Sequence, residues 1–149
     1  MTAEALRVCT FRIDDFYFGI PIHRIREVVR SSLEAPVPGA PPAIRGLINL
    51  RGELMPVVEL RRCLRLAPAE ALEEPMNIVL DEPEDKCAIF IDEIGDVIWV
   101  QPDQFEPPPH SLKETTNGLL RGVYKLDGQL LLELDVDALL HMPMVRAGR

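Results

Sequence analysis

Three cysteines, three serines and three histidines are all that this 149-residue chain offers to nucleophilic or metal-binding chemistry, and none stands in a pattern that such chemistry needs. Ser31, Ser32 and Ser111 lie outside any Gly-x-Ser-x-Gly elbow, so no serine nucleophile can be named. Cys9, Cys63 and Cys87 are too far apart for a Cys-x-x-Cys pair, and their odd number suits a reduced interior in which each is a small core or near-surface hydrophobe. His23, His110 and His141 are isolated from one another and from the cysteines, which leaves no metal-ligand cluster. The nine glycines are dispersed, with neither a Gly-x-Gly-x-x-Gly run nor a Walker-type lysine, so no nucleotide or other cofactor is expected. Asp14-Asp15 and Asp92-Glu93 fall at predicted turns, where aspartate is favoured for backbone reasons. The expectation is a protein without catalytic residues.

Positive charge is also short. Sixteen Lys and Arg face 24 Asp and Glu, giving a net charge of −8 and a pI near 4.9. Affinity for nucleic acid comes mainly from basic side chains displacing counterions, so a phosphate backbone is excluded as a partner, and an anionic membrane surface is disfavoured on the same ground. No window approaches the roughly 20 apolar residues of a membrane span, and the N-terminus, with Glu4 and Arg7, lacks a signal-peptide core. A cytoplasmic protein with no direct membrane insertion is expected. Its length suits one domain spanning residues 1–149, able to bury roughly 70% of its unfolded surface without disulfide or metal staples.

What the chain does contain is a duplication. The stretch Ile44-Arg45-Gly46 through Asn49-Leu50-Arg51-Gly52 to Leu60 is echoed without gaps by Leu120-Arg121-Gly122 through Lys125-Leu126-Asp127-Gly128 to Val136, at a spacing of 76 residues. A second echo, Ile20–Val29 with Ile89–Ile98, has a spacing of 69. Agreement between the copies describes a shared fold. Their differences, Arg51 against Asp127 and Pro56 against Leu132, point to what only one half does.

Short apolar segments rich in Val, Ile and Phe, separated by turn residues, predict mostly β structure. Residues 8–13 and 16–20 flank Asp14-Asp15 as one hairpin; 44–50 and 53–59 flank Arg51-Gly52; 119–126 and 129–134 flank Asp127-Gly128. Asp-Gly is a strong hairpin signal because both positions tolerate positive φ, and Arg-Gly is a weaker one. Either something other than local geometry keeps Arg51 at such a turn, or the turn is of a type in which Arg is unstrained. Helical turns are predicted at 60–64, 136–140 and 23–27. Pro36, Pro38, Pro41 and Pro42 form one extended connector and Pro107 to Pro109 another, at equivalent places in the two halves. The acidic runs at 70–75 and 81–86 read as solvated loops, and residues 145–149 as a tail.

Phe16-x-Phe18-Gly19-Ile20-Pro21, Ile25-Arg26-Glu27-Val28, and Ile44-x-Gly46-x-x-Asn49-Leu50-Arg51-Gly52-x-x-x-Pro56-Val57-Val58 together resemble the CheW domain, the coupling module of bacterial chemosensory arrays. Ile91-Asp92-Glu93-Ile94-Gly95-Asp96-Val97 and Phe105-Glu106-Pro107-Pro108 extend the resemblance, which runs from about Leu6 to Leu140. It implies a mainly β protein of two intertwined, SH3-like, five-stranded barrels with short helices. It further implies a non-catalytic adaptor, located at membrane-associated receptor arrays, that joins the regulatory domain of a CheA-type histidine kinase to the cytoplasmic tips of chemoreceptors. In the family a receptor helix lies in a groove between the barrels. By position the groove residues here are Ile25, Glu27, Gly46 and Arg51, with Cys87, Ala88 and Ile89 from the second half, and Glu27 is expected to pair with Arg51. The kinase contact falls near Ser32, Leu33 and Glu34. Arg65 and Cys87-Ala88 depart from the glycines the family often carries there. An adaptor serving surface motility or development, and a small-ligand carrier or enzyme using the interdomain cleft, are the rival readings.

Overall fold

The computed structural model describes residues 4–31, 34–69, 71–84 and 86–146. The predicted hairpins form where the turn dipeptides place them. β1 (Leu6–Ile13) turns at Asp14-Asp15 into β2 (Phe16–Pro21), and one 3-10 turn, Ile22–Arg24, leads into β3 (Ile25–Arg30). Strand therefore begins at Ile25, inside the stretch 23–27 expected as helix, because β-branched Ile25, Val28 and Val29 find a sheet partner in β6. β4 (Ile44–Leu50) and β5 (Glu53–Glu59) run into helix α1 (Leu60–Cys63); β6 (Met76–Leu80), β7 (Ala88–Ile91), β8 (Glu93–Val100) and the short β9 (Phe105–Glu106) follow. Helix α2 (His110–Thr115), strands β10 (Leu120–Leu126) and β11 (Gln129–Leu134), and helices α3 (Val136–Leu140) and α4 (Pro143–Arg146) complete the order.

Two sheets result. One has the order β8-β1-β2-β11-β10-β9 and curls around Val8, Val100, Tyr124 and Leu131; this is barrel A. The other, barrel B, has the order β3-β6-β7-β5-β4 and curls around Ile48, Met55, Val57, Val79, Ala88 and Phe90. At the outer edge of β4, Ala35 bridges Leu47 as β9 does β10, so the two proline connectors leave from equivalent places.

The duplication is visible in the register itself. β4 and β5 pair Ile44 with Val58 and Gly46 with Val57, bulging at Arg45; β10 and β11 pair Leu120 with Leu134 and Gly122 with Glu133, bulging at Arg121. These partners stand 76 residues apart, as in the first echo. Likewise β3 pairs with β6 through Val28 with Ile78 and Ile25 with Leu80, while β8 pairs with β1 through Val97 with Cys9 and Ile94 with Phe11, all 69 apart. Each half thus gives its first hairpin, β1–β2 or β6–β7, to the sheet that holds the other half's remaining strands. Between the barrels lies a shared core that includes Phe11, Phe18, Ile20, Ile78, Ile89, Ile91, Leu132 and Leu134, each worth roughly 1.5–3 kcal/mol when fully buried. The rings of Phe11 and Phe18 stack at 5.4 Å within it.

Two stretches differ from the sequence reading. Residues 110–115 form α2, which a single large apolar residue, Leu112, could not announce by periodicity. Val145 and Arg146, expected in a tail, belong to α4: Ala43 N–H donates to the Met144 carbonyl at 2.8 Å and Val145 packs against the shared core.

All three cysteines are buried free thiols. Burial pushes Cys9 up, and Cys63 up to about 12, so these two pack as inert hydrophobes. Asn77 on β6 is the one buried side chain whose amide atoms find no partner among the described residues, and only 1% of it is exposed. It faces the interior of barrel B at the place that Val8 fills in barrel A, by the 69-residue spacing. Asn77→Val is expected to raise stability by about 1–3 kcal/mol, the desolvation cost of an unpaired amide. Urea unfolding with an unchanged m-value would measure the gain.

Candidate functional site

One end of barrel B carries a connected set of charges, and its backbone geometry explains their placement. β3 bulges at Arg26, which lets neighbouring Arg26 and Glu27 both reach toward the hairpin tip instead of facing opposite sides. The equivalent bulge in β8 falls at Gly95, where a Cβ would stand 2.4 Å from Thr10 Oγ1, and Thr10 Oγ1 donates to the Asp96 carbonyl at 2.6 Å. Barrel A closes this bulge with a contact between β1 and β8. The first half displays an arginine.

The hairpin between β4 and β5 supplies the next members. Arg51 has φ 51° and Gly52 φ 87°, so a non-glycine residue occupies the left-handed region at the tip. Asp127, which could adopt that conformation more cheaply, does not, and only Gly128 has positive φ in its turn. Two contacts hold the Arg51 turn: Gly52 N–H donates to Asn49 Oδ1 at 2.9 Å, and the Arg51 guanidinium binds the Glu27 carboxylate. The expected Glu27–Arg51 pair is therefore present, with 61% of the Arg51 side chain exposed. The set continues from Glu27 to Arg26 at 3.9 Å, from Arg26 to Glu53 at 3.3 Å, and from Glu53 to Lys86 at 3.0 Å. Hydrogen bonds from Arg26 and then Lys86 hold the Glu53 carboxyl below the usual carboxylate range. Three cations thus alternate with two carboxylates here, and Asp81 also acts on Arg26.

The seven residues expected in the groove do not share one surface. All lie in barrel B, including Cys87, Ala88 and Ile89, because β7 pairs in parallel with β5. Ile25, half-buried against the shared core, belongs with Glu27 and Arg51 to the β3 end of the barrel. Gly46 is buried for a backbone reason: a Cβ there would stand 2.6 Å from the Ala35 carbonyl oxygen, blocking the bridge at the sheet edge. Ala88 and Ile89 have no exposed surface, and can shape a contact only from beneath. Cys87 lines a different feature, a groove of ≈ 500 Å³ between barrel B and helices α3 and α4, with Leu47, Leu54, Pro56, Leu140 and Val145. Leu54 on its rim is 65% exposed. Of the proposed kinase contact, Ser32 and Leu33 lie outside the described residues, and the Glu34 carboxylate is held by Arg45 at 3.3 Å.

Sequence reasoning missed two ion clusters that pin the crossings between barrels. Arg61, at the start of α1, donates to Asp92 Oδ1 at 3.1 Å and to the Ala67 carbonyl at 2.9 Å, and binds Asp14 in the turn of barrel A; Asp92 stands where the chain crosses from B to A. On the other side, Arg24 stands where the chain crosses from A to B, and reaches Asp137 of α3 at 2.8 Å and Glu82 of the β6–β7 turn. Arg61 and Asp137 are the same position in the 76-residue repeat, with the charge inverted. The signal was available in that spacing, but Asp14 and Asp92 had been absorbed by their turn propensity.

Barrel A holds a buried carboxylate. Glu133 is 2% exposed, accepts from Tyr124 Oη at 3.3 Å and from Arg121 Nη1 at 3.4 Å, and is raised above the usual carboxylate range by burial. Burial, then the Glu133 charge, pushes the Tyr124 hydroxyl up to about 12. A raised carboxyl pKa means the folded state binds the proton more tightly than the unfolded one, so stability is greatest below the ordinary carboxylate pKa and declines as pH rises through the folded value. Glu133→Gln should therefore raise the melting temperature at pH 8 and give no gain at pH 4, as thermal melts across that range would show.

Among the described residues no group of His, Cys, Asp and Glu could hold a metal ion, and no helix is long and apolar enough to cross a membrane. The CheW-like domain family model matches residues 7–144. Chemotaxis protein CheW of Bacillus subtilis is 29% identical over 143 residues, covering 94% of this chain and 92% of its own. Chemotaxis protein CheW of Thermotoga maritima is 27% identical over 150 residues, covering 98% and 97%. Among solved structures, the scaffolding protein TtCheW from Thermoanaerobacter tengcongensis superimposes with a TM-score of 0.78 at 24% identity, over 89% of this chain and 85% of that one, which establishes the shared fold.

Proposed function

The chain belongs to the CheW-like domain family, and from that premise we propose that it is a non-catalytic adaptor, acting in the cytoplasm at receptor arrays, that couples chemoreceptors to a CheA-type histidine kinase. The observation that carries this reading is the charged end of barrel B, where a strained turn presents Arg51 to solvent beside Glu27. A non-glycine residue in the left-handed region costs of order 1–2 kcal/mol, which an exposed ion pair worth about 0–1 kcal/mol does not reliably repay. Strain of this kind is retained where a partner uses it. Ile25, Glu27 and Arg51 form the receptor contact in this reading: half-buried Ile25 gives apolar area, and Arg51 a directional, charge-assisted hydrogen bond. The kinase regulatory domain meets barrel B near Ser32, Leu33 and Glu34. Because binding shifts kinase states only through differential affinity, the adaptor acts by holding receptor and kinase in register.

Purified protein, a kinase regulatory domain and a receptor-tip fragment test the proposal in sedimentation. Two binary complexes and a ternary complex are expected. A tight small-molecule ligand with no kinase partner would instead favour a ligand carrier.

A further inference from the structure

We infer that Arg24 is a positioning residue for the receptor contact: it anchors the turn between β6 and β7 that carries Lys86, and through Lys86 and Glu53 it fixes Arg26 and Glu27 beside Arg51. This role rests on the reading that assigns the receptor contact to Arg51.

The duplication shows why the turn needs an anchor. In barrel A, β1 and β2 stay paired as far as Ile13 with Phe16, so Asp14 and Asp15 alone make the turn. In barrel B the ladder between β6 and β7 ends at Val79 with Ala88, the counterparts of Thr10 and Gly19 by the 69-residue spacing. One hydrogen bond follows, from Leu80 N–H to the Cys87 carbonyl at 3.0 Å; Asp81 and Glu82, the counterparts of paired Arg12 and Ile13, lie outside the strand. The turn in barrel B is therefore long where its twin is tight. Segments with few ladder bonds open easily unless other contacts hold them.

Arg24 supplies the hold at the near end of this turn. Its carbonyl accepts from Asp81 N–H at 2.9 Å, and its guanidinium binds Glu82 while donating to Asp137 Oδ1 of α3 at 2.8 Å. At the far end Lys86 binds Glu53 at 3.0 Å. Arg24 thus joins the turn both to α3 and to the 3-10 segment that leads directly into β3. The charged set is drawn from three separate pieces of chain: β3, the hairpin of β4 and β5, and this turn. Glu53 is shared between Lys86 and Arg26, the latter at 3.3 Å, and Arg26 stands 3.9 Å from Glu27, which holds Arg51. A turn that swings away takes Lys86 off Glu53, and Arg26 then moves toward the carboxylate that has lost its second cation. Glu27 and Arg51 lose a fixed neighbour. A contact residue is effective only when the groups behind it are themselves held.

Glu82→Ala separates positioning from simple charge, because the two effects on Glu53 have opposite sign. Deleting a negative charge lowers a neighbouring carboxyl pKa, whereas releasing Lys86 raises it. Carboxyl carbon shifts of Glu53, followed against pH, are expected to titrate higher in Glu82→Ala and in Arg24→Ala than in the parent. Isothermal titration with a receptor-tip fragment should show binding about tenfold weaker in both variants, the scale of coupling within one ion network. In the Arg51→Glu background Arg24→Ala should cause no further loss, since the group it positions is already gone. Should Arg24→Ala not fold, Glu82→Ala carries both readouts and the same comparison. A Glu53 titration unchanged or lower in Glu82→Ala, or an equal loss of binding in both backgrounds, would overturn the inference. Undiminished binding by the folded variants would overturn it alone, whereas a parent chain that binds no receptor fragment would take the adaptor reading down with it.

Discussion

Arg51→Glu is expected to weaken receptor binding at least about 30-fold, the scale of losing a charge-assisted contact, while leaving stability within about 1 kcal/mol of the parent. The two effects separate for a structural reason. Arg51 stands in the left-handed region with most of its side chain in solvent, so it contributes little to the fold. Replacing it puts a second carboxylate beside Glu27 and reverses the local field. Arg51→Asn separates the effects further: asparagine tolerates the left-handed conformation better, so this variant should be as stable as the parent or more so, and still bind weakly. Isothermal titration against a receptor-tip fragment, paired with urea unfolding, reads both quantities. Loss of stability in proportion to binding would mean that Arg51 is a structural residue, and normal binding by Arg51→Glu would remove it from the contact.

The largest effect on stability is expected from Arg61→Ala. Arg61 is 7% exposed and neutralises Asp92, whose side chain is 12% exposed, together with the half-exposed Asp14. Removing the guanidinium leaves two carboxylates facing each other with one of them nearly out of water. Breaking a buried pair in this way costs about 3–5 kcal/mol, and the lower end applies because Asp14 keeps partial access to solvent. A melting temperature lower by roughly 6–12 °C follows for a chain of this size. Arg61→Met with Asp92→Asn removes charge and counter-charge together and should recover much of the loss. Arg24→Ala, in the charge-inverted cluster, should cost less, about 1–2 kcal/mol, since Asp137 is 71% exposed and stays hydrated while Glu82, 21% exposed, loses a partner. Equal losses for Arg24→Ala and Arg61→Ala would refute the distinction drawn from burial.

Local chemistry made the hairpins legible: Asp14-Asp15, Arg51-Gly52 and Asp127-Gly128 punctuate apolar runs and fixed the turns to the residue. The repeat made the architecture legible too, since equal spacings demand equal pairings. Strand exchange was not, because nothing in the apolar pattern of β1–β2 or β6–β7 says whose sheet it joins; pairings with the other half's strands, β8 and β11 or β3 and β5, select them in three dimensions. α2 escaped because its single leucine gives no periodic stripe. At the candidate site, the Glu27–Arg51 pair was reached through family resemblance, and the Arg61 cluster was hidden by aspartates whose turn preference already seemed to explain them. Cys87 read as a core hydrophobe and a groove residue at once. It lines the groove at the position where the other half, by the 69-residue spacing, carries the larger Phe18.

The exchange of the β1–β2 and β6–β7 hairpins bears on the asymmetry of this chain. Neither half holds a complete sheet of its own, so a half-length unit of this design would complete its sheets only with a hairpin from a second copy. In a homodimer every substitution is made twice. In the joined chain each half varies alone, and one leads into its second hairpin through helix α2 while the other does so through Pro38, Pro41 and Pro42.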